Sequence, residues 1–167
     1  MYAYCLFCQT QRCEMIAETI NSITDHRCFM PRIVQRYWLK GEALERIHPY
    51  LPGYLFLYTE EPVEDFGTIR SIAGVIRILG LEEQGYQLTG SDLAFARMLY
   101  QMDGCLGILK VRSVGDRVRI ATELYEGFTG EIVRLDKRKR RAMIRFDFDG
   151  KEHHVWVGVD KIKDADE

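Results

Sequence analysis

The sequence predicts an α+β module followed by a small all-β barrel, and three observations carry that expectation. Through roughly the first hundred residues, apolar positions at helical spacing alternate with short aromatic and β-branched runs. From Val111 the texture changes to short alternating segments separated by turn residues. Positive charge, thinly spread elsewhere, crowds into Arg134, Lys137, Arg138, Lys139, Arg140, Arg141 and Arg145, opposed there only by Asp136.

Met1 to Cys8 reads as a strand rich in aromatic and apolar residues, ending at Gln9-Thr10-Gln11. Met15, Ile16, Thr19, Ile20 and Ile23 then recur at helical spacing from about Arg12 to Thr24. Cys28 to Trp38 reads as extended, with Pro31 near its start, and Lys40 to His48 as a polar excursion. After Pro49-Tyr50-Leu51-Pro52-Gly53 comes the densest apolar run, Tyr54-Leu55-Phe56-Leu57-Tyr58, suited to a central strand. Pro62 can open a short helix carrying Val63, Phe66, Ile69 and Ile72, and Gly74 releases the chain into the strand Val75 to Leu79. Ser91 can cap a third helix running to about Gly104. This order matches a ferredoxin-like α/β sandwich with helices on one face of the sheet. Strands at 117–120, 130–133, 142–146 and 154–157 then suggest the barrel. The expected division is 1–104, a short linker at 105–112, and 113–167.

The chain is 47% hydrophobic and 29% charged, which excludes a disordered protein, and no apolar run is long enough to span a bilayer. A soluble cytoplasmic protein, without a membrane partner, is the expectation. Five cysteines, Cys5, Cys8, Cys13, Cys28 and Cys105, are odd in number and unevenly placed, which fits reduced thiols better than a disulfide framework. Cys5 and Cys8 have the spacing of a metal or redox pair, but residues three apart on a strand face opposite sides of the sheet. No second ligand pair follows sensibly, and adjacent His153 and His154 meet the same geometric objection. No catalytic residue, metal or cofactor is therefore expected: no phosphate-binding glycine loop, carboxylate pair or nucleophile motif is present. A thiol redox or zinc enzyme built on Cys5 and Cys8 is the reading from another class.

In the second part, Val114-Gly115-Asp116-Arg117-Val118-Arg119-Ile120, then Gly127-Phe128-Thr129-Gly130-Glu131-Ile132-Val133 and Val159-Asp160-Lys161-Ile162 resemble a KOW domain. In the first, Leu51-Pro52-Gly53-Tyr54-Leu55-Phe56-Leu57 and the stretch Ile69 to Gly80 resemble the NusG N-terminal (NGN) domain. With both in order, the chain resembles the NusG family of transcription elongation and antitermination factors. The resemblance implies a five-stranded SH3-like barrel for the second domain. It also implies a non-enzymatic monomer whose first domain docks on the clamp helices of RNA polymerase. Carried onto this sequence, the docking candidates are Phe7, Leu51, Tyr54 and Phe56 as an exposed apolar patch, with Thr68 and Arg70 on the opposite rim. Leu55 and Leu57 alternate with Tyr54 and Phe56, so either set also fits plain core.

Lys137, Arg138, Lys139, Arg140 and Arg141 lie between two expected strands and should form an exposed hairpin tip. Like charges so close are relieved by a polyanion, whose displaced counterions make binding salt-dependent. The partner expected is RNA or a non-template DNA element; a solvated turn is the plain alternative. Tyr125 and Phe128 are candidates for stacking, Phe128 equally for barrel core. Three features depart from the housekeeping pattern: Asp149 precedes Gly150 where an aromatic is usual, the hairpin is unusually basic, and Gln87-Leu88-Thr89-Gly90 replaces a proline-rich stretch. The first speaks against contact with a ribosomal protein or Rho. Together they favour a specialised paralogue resembling LoaP or RfaH, with LoaP, an RNA reader, the preferred comparison. A general elongation factor whose barrel binds only proteins is the alternative.

Overall fold

The computed structural model describes residues 1–114, 117–120 and 130–161, with backbone alone for 113–114, 117–120 and 161. Gly115, Asp116, Tyr125, Gly127, Phe128, Thr129 and Ile162, named above, lie outside the described residues. In chain order the elements are β1 (Tyr2–Cys8), α1 (Cys13–Ile23), β2 (Arg27–Phe29), β3 (Arg32–Leu39), β4 (Glu42–Pro49), β5 (Tyr54–Thr59), α2 (Gly67–Arg70) and β6 (Val75–Ile78). Then follow α3 (Gly90–Gln101), β7 (Cys105–Leu106), β8 (Leu109–Val114), β9 (Arg117–Ile120), β10 (Glu131–Asp136), β11 (Arg141–Phe148) and β12 (Lys151–Lys161). They form two compact units: residues 1–31 with 49–104, and residues 32–48 with 105–167.

The first unit is built on an antiparallel sheet in the order β2-β5-β1-β6. Register puts Tyr4 opposite Leu57 and Leu6 opposite Leu55 on one face, and Cys5 opposite Phe56 and Phe7 opposite Tyr54 on the other. Ile16 and Ile20 of α1, with Phe66 and Ile69, pack on the first face in one buried cluster. On the second face Phe95 of α3 meets Phe56 with ring centroids 5.6 Å apart, and the Tyr58 hydroxyl donates to the Ala96 carbonyl at 2.6 Å. Helices therefore cover both faces of the sheet, not one as expected. Every residue of β5 is buried as a result.

Local chemistry explains the other departures. Thr24 donates through both its hydroxyl and its N–H to the Ile20 carbonyl and turns extended, which stops α1. Pro62 does not open a helix; α2 is a single turn that begins at Gly67, whose N–H is held by the Asp65 carboxylate at 2.7 Å. Ser91 lies inside α3, and Thr89 precedes the helix without a side-chain cap. Pro31, without an N–H, separates β2 from β3, so the extended segment is two strands.

In the second unit the expected polar excursion is strand β4. Lys40 and Gly41 both hold positive φ, 50° and 85°, the geometry that joins two strands by a two-residue turn. Asp149 and Gly150, at 52° and 65°, do the same between β11 and β12. β3 lies between β4 and β7, and β8 to β12 form a five-stranded sheet in the order β10-β11-β12-β8-β9. Strands β7 and β8 occupy the segment expected as a linker. β11 alternates strictly: Ala142, Ile144, Phe146 and Phe148 are buried with Val155, Val157 and Val159 of β12, while Arg145 and Asp147 are exposed. One face of β11 and β12 is core, and the other carries Arg141, Met143, Arg145 and Trp156.

Candidate nucleic-acid interface

The turn from β10 to β11 is residues 137–140, and all four side chains are exposed. Its shape is set by Asp136, whose carboxylate accepts the Lys139 N–H at 3.0 Å, and by Arg140, whose positive φ of 50° lets the chain double back. That N–H, with help from Arg141, holds the Asp136 carboxyl below its usual range. The Arg141 guanidinium lies 3.5 Å from the same carboxylate.

The five cations are therefore not equivalent. Arg140 pairs with Asp160 at 2.9 Å, and Arg141 and Lys139 share the field of Asp136. Lys137 and Arg138 project from the tip with no ion pair among the described residues. Just below the tip, Arg141 lies 4.4 Å from the centre of the Trp156 ring and Arg134 5.8 Å from it. Register accounts for this, because Arg134, Met143 and Trp156 form one row across β10, β11 and β12, with Arg141 opposite Gly158 one row away. Arg145, further along the same face, is tied to Glu131.

The hairpin β3–β4 adds a buttress within this unit. Gln35 donates to the Trp156 carbonyl at 3.3 Å. Arg36, its side chain only 8% exposed, bridges Glu45 at 3.2 Å and Asp160 at 2.9 Å. Arg36 first, and then Arg140, hold the Asp160 carboxyl below its usual range. A Cβ at Gly158 would meet the Cδ1 end of the Ile108 side chain, which packs over this point of β12. Gln35, Arg36, Arg141, Trp156, Val157 and Gly158 line a small open cleft of about 90 Å³.

The apolar candidates of the first unit stand differently. Leu51, Tyr54 and Phe56 are 3%, 6% and 0% exposed, so they do not form the exposed patch expected of them. Sheet register is the reason: Phe56 faces α3, and Tyr54 faces Phe7 with ring centroids 5.2 Å apart. Phe7 itself is half-buried, and Arg77 lies over its ring at 5.7 Å. Thr68 and Arg70 are exposed on α2, with the Arg70 guanidinium donating to the Tyr86 hydroxyl at 2.6 Å. Cys5 and Cys8 are both buried on opposite faces of β1, and no metal-binding cluster of His, Cys, Asp or Glu occurs among the described residues. No helix among those residues is long and apolar enough to cross a membrane.

Sequence reasoning located the tip but not what lies beneath it. Trp156 was open to discovery, because alternation along β12 places it opposite in facing to buried Val155 and Val157, whereas Arg134, already counted among the clustered charges, follows a register shift in β10 that no alternation reveals. Arg36 and Asp160 carried no such signal: they meet across 124 positions of sequence.

Comparison with known proteins now bears on this geometry. A family model described as transcription termination factor NusG matches residues 2–97. No curated protein matches. Among solved structures, NusG of Thermotoga maritima superposes with a TM-score of 0.54 at 17% identity, covering 94% of this chain and 93% of that one. At that identity the likeness concerns the fold, which is mixed α/β in both. The family match extends over more than half of the chain, and the chain belongs to the NusG family of transcription factors.

Proposed function

We propose that this protein is a processive antitermination factor of the LoaP-like kind, whose first unit binds RNA polymerase and whose second contacts RNA. In this reading the first unit is a ferredoxin-like NGN domain and residues 113–167 a KOW barrel. The observation that carries the RNA contact is the exposed β10–β11 turn, with Lys137 and Arg138 unneutralised among the described residues and Arg134 and Arg141 gathered around Trp156 beside it. A polyanion relieves that concentration of charge, and counterion release makes the contact strong at low salt. Reversing Lys137 and Arg138 to glutamate is expected to weaken binding to the recruiting RNA and terminator read-through together. Unchanged binding and read-through would remove the assignment.

For the polymerase, Phe7 with Tyr54 behind it is the apolar contact and Thr68 and Arg70 the polar rim; Leu51 and Phe56 support that surface from within. Co-purification of RNA polymerase should be lost on Phe7→Ala or Arg70→Glu while the melting temperature holds. The protein works as a cytoplasmic monomer. A second reading, a general elongation factor whose barrel binds only proteins, draws on the pairing of Arg140 and Arg141 with Asp160 and Asp136. It predicts no sequence-selective RNA binding at physiological salt.

A further inference from the structure

We infer that the cleft beside Trp156 receives a single unpaired nucleobase of the RNA strand whose phosphates lie on the tip. This rests on the RNA reading proposed above and specifies it, turning a patch of charge into a site that separates unpaired from paired RNA.

The cleft has the parts that such a contact needs. Arg141 is held over the Trp156 ring, and stacked aromatic and guanidinium planes are the surfaces on which single-stranded bases lie. Gln35, also in the lining, is fixed by its bond to the Trp156 carbonyl, which uses its amide nitrogen and leaves the side-chain oxygen to accept from an exocyclic amine. The Gly158 backbone forms part of the lining. Arg36, already committed to Glu45 and Asp160, holds the wall and offers no free charge. At about 90 Å³ the cleft is far below the roughly 300 Å³ at which drug-sized ligands begin, so it accommodates one planar group inserted from outside rather than a free small molecule. Arg141 is both the last residue of the basic run and a wall of the cleft, so one strand can contact both. A paired base cannot enter, because stacking and pairing hold it within the duplex.

The protein has two tryptophans, Trp38 and Trp156. Trp38→Phe leaves Trp156 as the single reporter in the full chain. Titration with a single-stranded oligoadenylate RNA should quench its emission with the same midpoint as the anisotropy of the labelled oligomer. A blunt RNA duplex of equal length should bind through the tip without quenching. Gln35→Ala should weaken oligoadenylate binding several-fold and leave duplex binding unchanged, and Trp156→Leu should weaken it about five- to hundred-fold. The emission readout uses an intact cleft, so it stands even where Trp156→Leu fails to fold. Salt-dependent binding of the oligomer with unmoved emission, or equal quenching by the duplex, overturns the cleft and leaves the tip reading intact. Absence of binding by either probe at low salt overturns both.

Discussion

Strands β5 and β11 run through the middles of their respective sheets, yet they offer opposite surfaces. All six residues of β5 are buried, because α1 packs on one face of its sheet and α3 on the other. β11 buries only alternate residues; on its outer side Arg141 and Met143 are half-buried and Arg145 and Asp147 are exposed to a partner. A sheet covered on both faces can recognise partners only at its ends and through its helices, whereas a sheet covered on one face can use its strands directly. The same residue type therefore has different meanings in the two units: an aromatic in β5 is core, and an aromatic in β12 is a stacking surface.

The largest test of that contrast is Phe56→Ala. Loss of a fully buried ring packed on Phe95 should cost about 3–5 kcal/mol, seen as a lowered urea midpoint for the first unit. A near-native midpoint would mean that β5 is not enclosed on both sides. Arg36→Met removes the bridge to Glu45 and Asp160 and should destabilise the second unit by about 1.5–3 kcal/mol, with less effect on the first. Reversing Lys137 and Arg138 should barely move either melting transition. It should make the slope of log affinity against log salt for single-stranded RNA shallower by about 1.4, at roughly 0.7 per phosphate contact. The same reversal at Arg140, already paired with Asp160, should change the slope less.

The smallest effects should fall at opposite ends of the pH scale. Asp136 and Asp160 have carboxyls held below their ordinary value of 3.8, so the stability they supply is present above that value and lost as pH falls below it. Asp160→Asn should flatten that acid-side loss in the second unit. In the first unit, burial first and Cys13 second push the Cys8 thiol from 9.0 up to about 12. The folded state there keeps the proton that the unfolded chain releases, so stability is full below about 9 and is lost as pH rises towards 12. Thermal melts across both ranges, read separately for each unit, would show whether the two failures are so divided.

Much of this was legible in the sequence, for physical reasons specific to each case. β1, α1 and β5 announced themselves through local periodicity, and the basic tip through the crowding of like charges between alternating strands. Which side of β5 would face a helix was not legible, because Tyr54, Phe56 and Tyr58 alternate with equally apolar Leu55 and Leu57. Residues 40–48 looked like a loop because β4 has a charged, mostly exposed sequence; only the backbone of Lys40 and Gly41 shows that it folds back on β3. Nor could a local pattern join Arg36 to Asp160, since that contact depends on tertiary packing alone.

The placement of β3 and β4 has a consequence for synthesis of the chain. The first unit is interrupted after Pro31 and resumes at Pro49, with the Tyr50 N–H bonded to the Pro31 carbonyl at 2.8 Å across the gap. The intervening hairpin belongs with strands made much later: Gln35 binds the carbonyl of a residue 121 positions further on. As the chain emerges from the ribosome, the first unit can therefore close while its insert still waits for β12. Truncation before β7 should accordingly leave a folded first unit carrying an orphaned hairpin, and limited proteolysis of chains stalled there should cut first between residues 32 and 48.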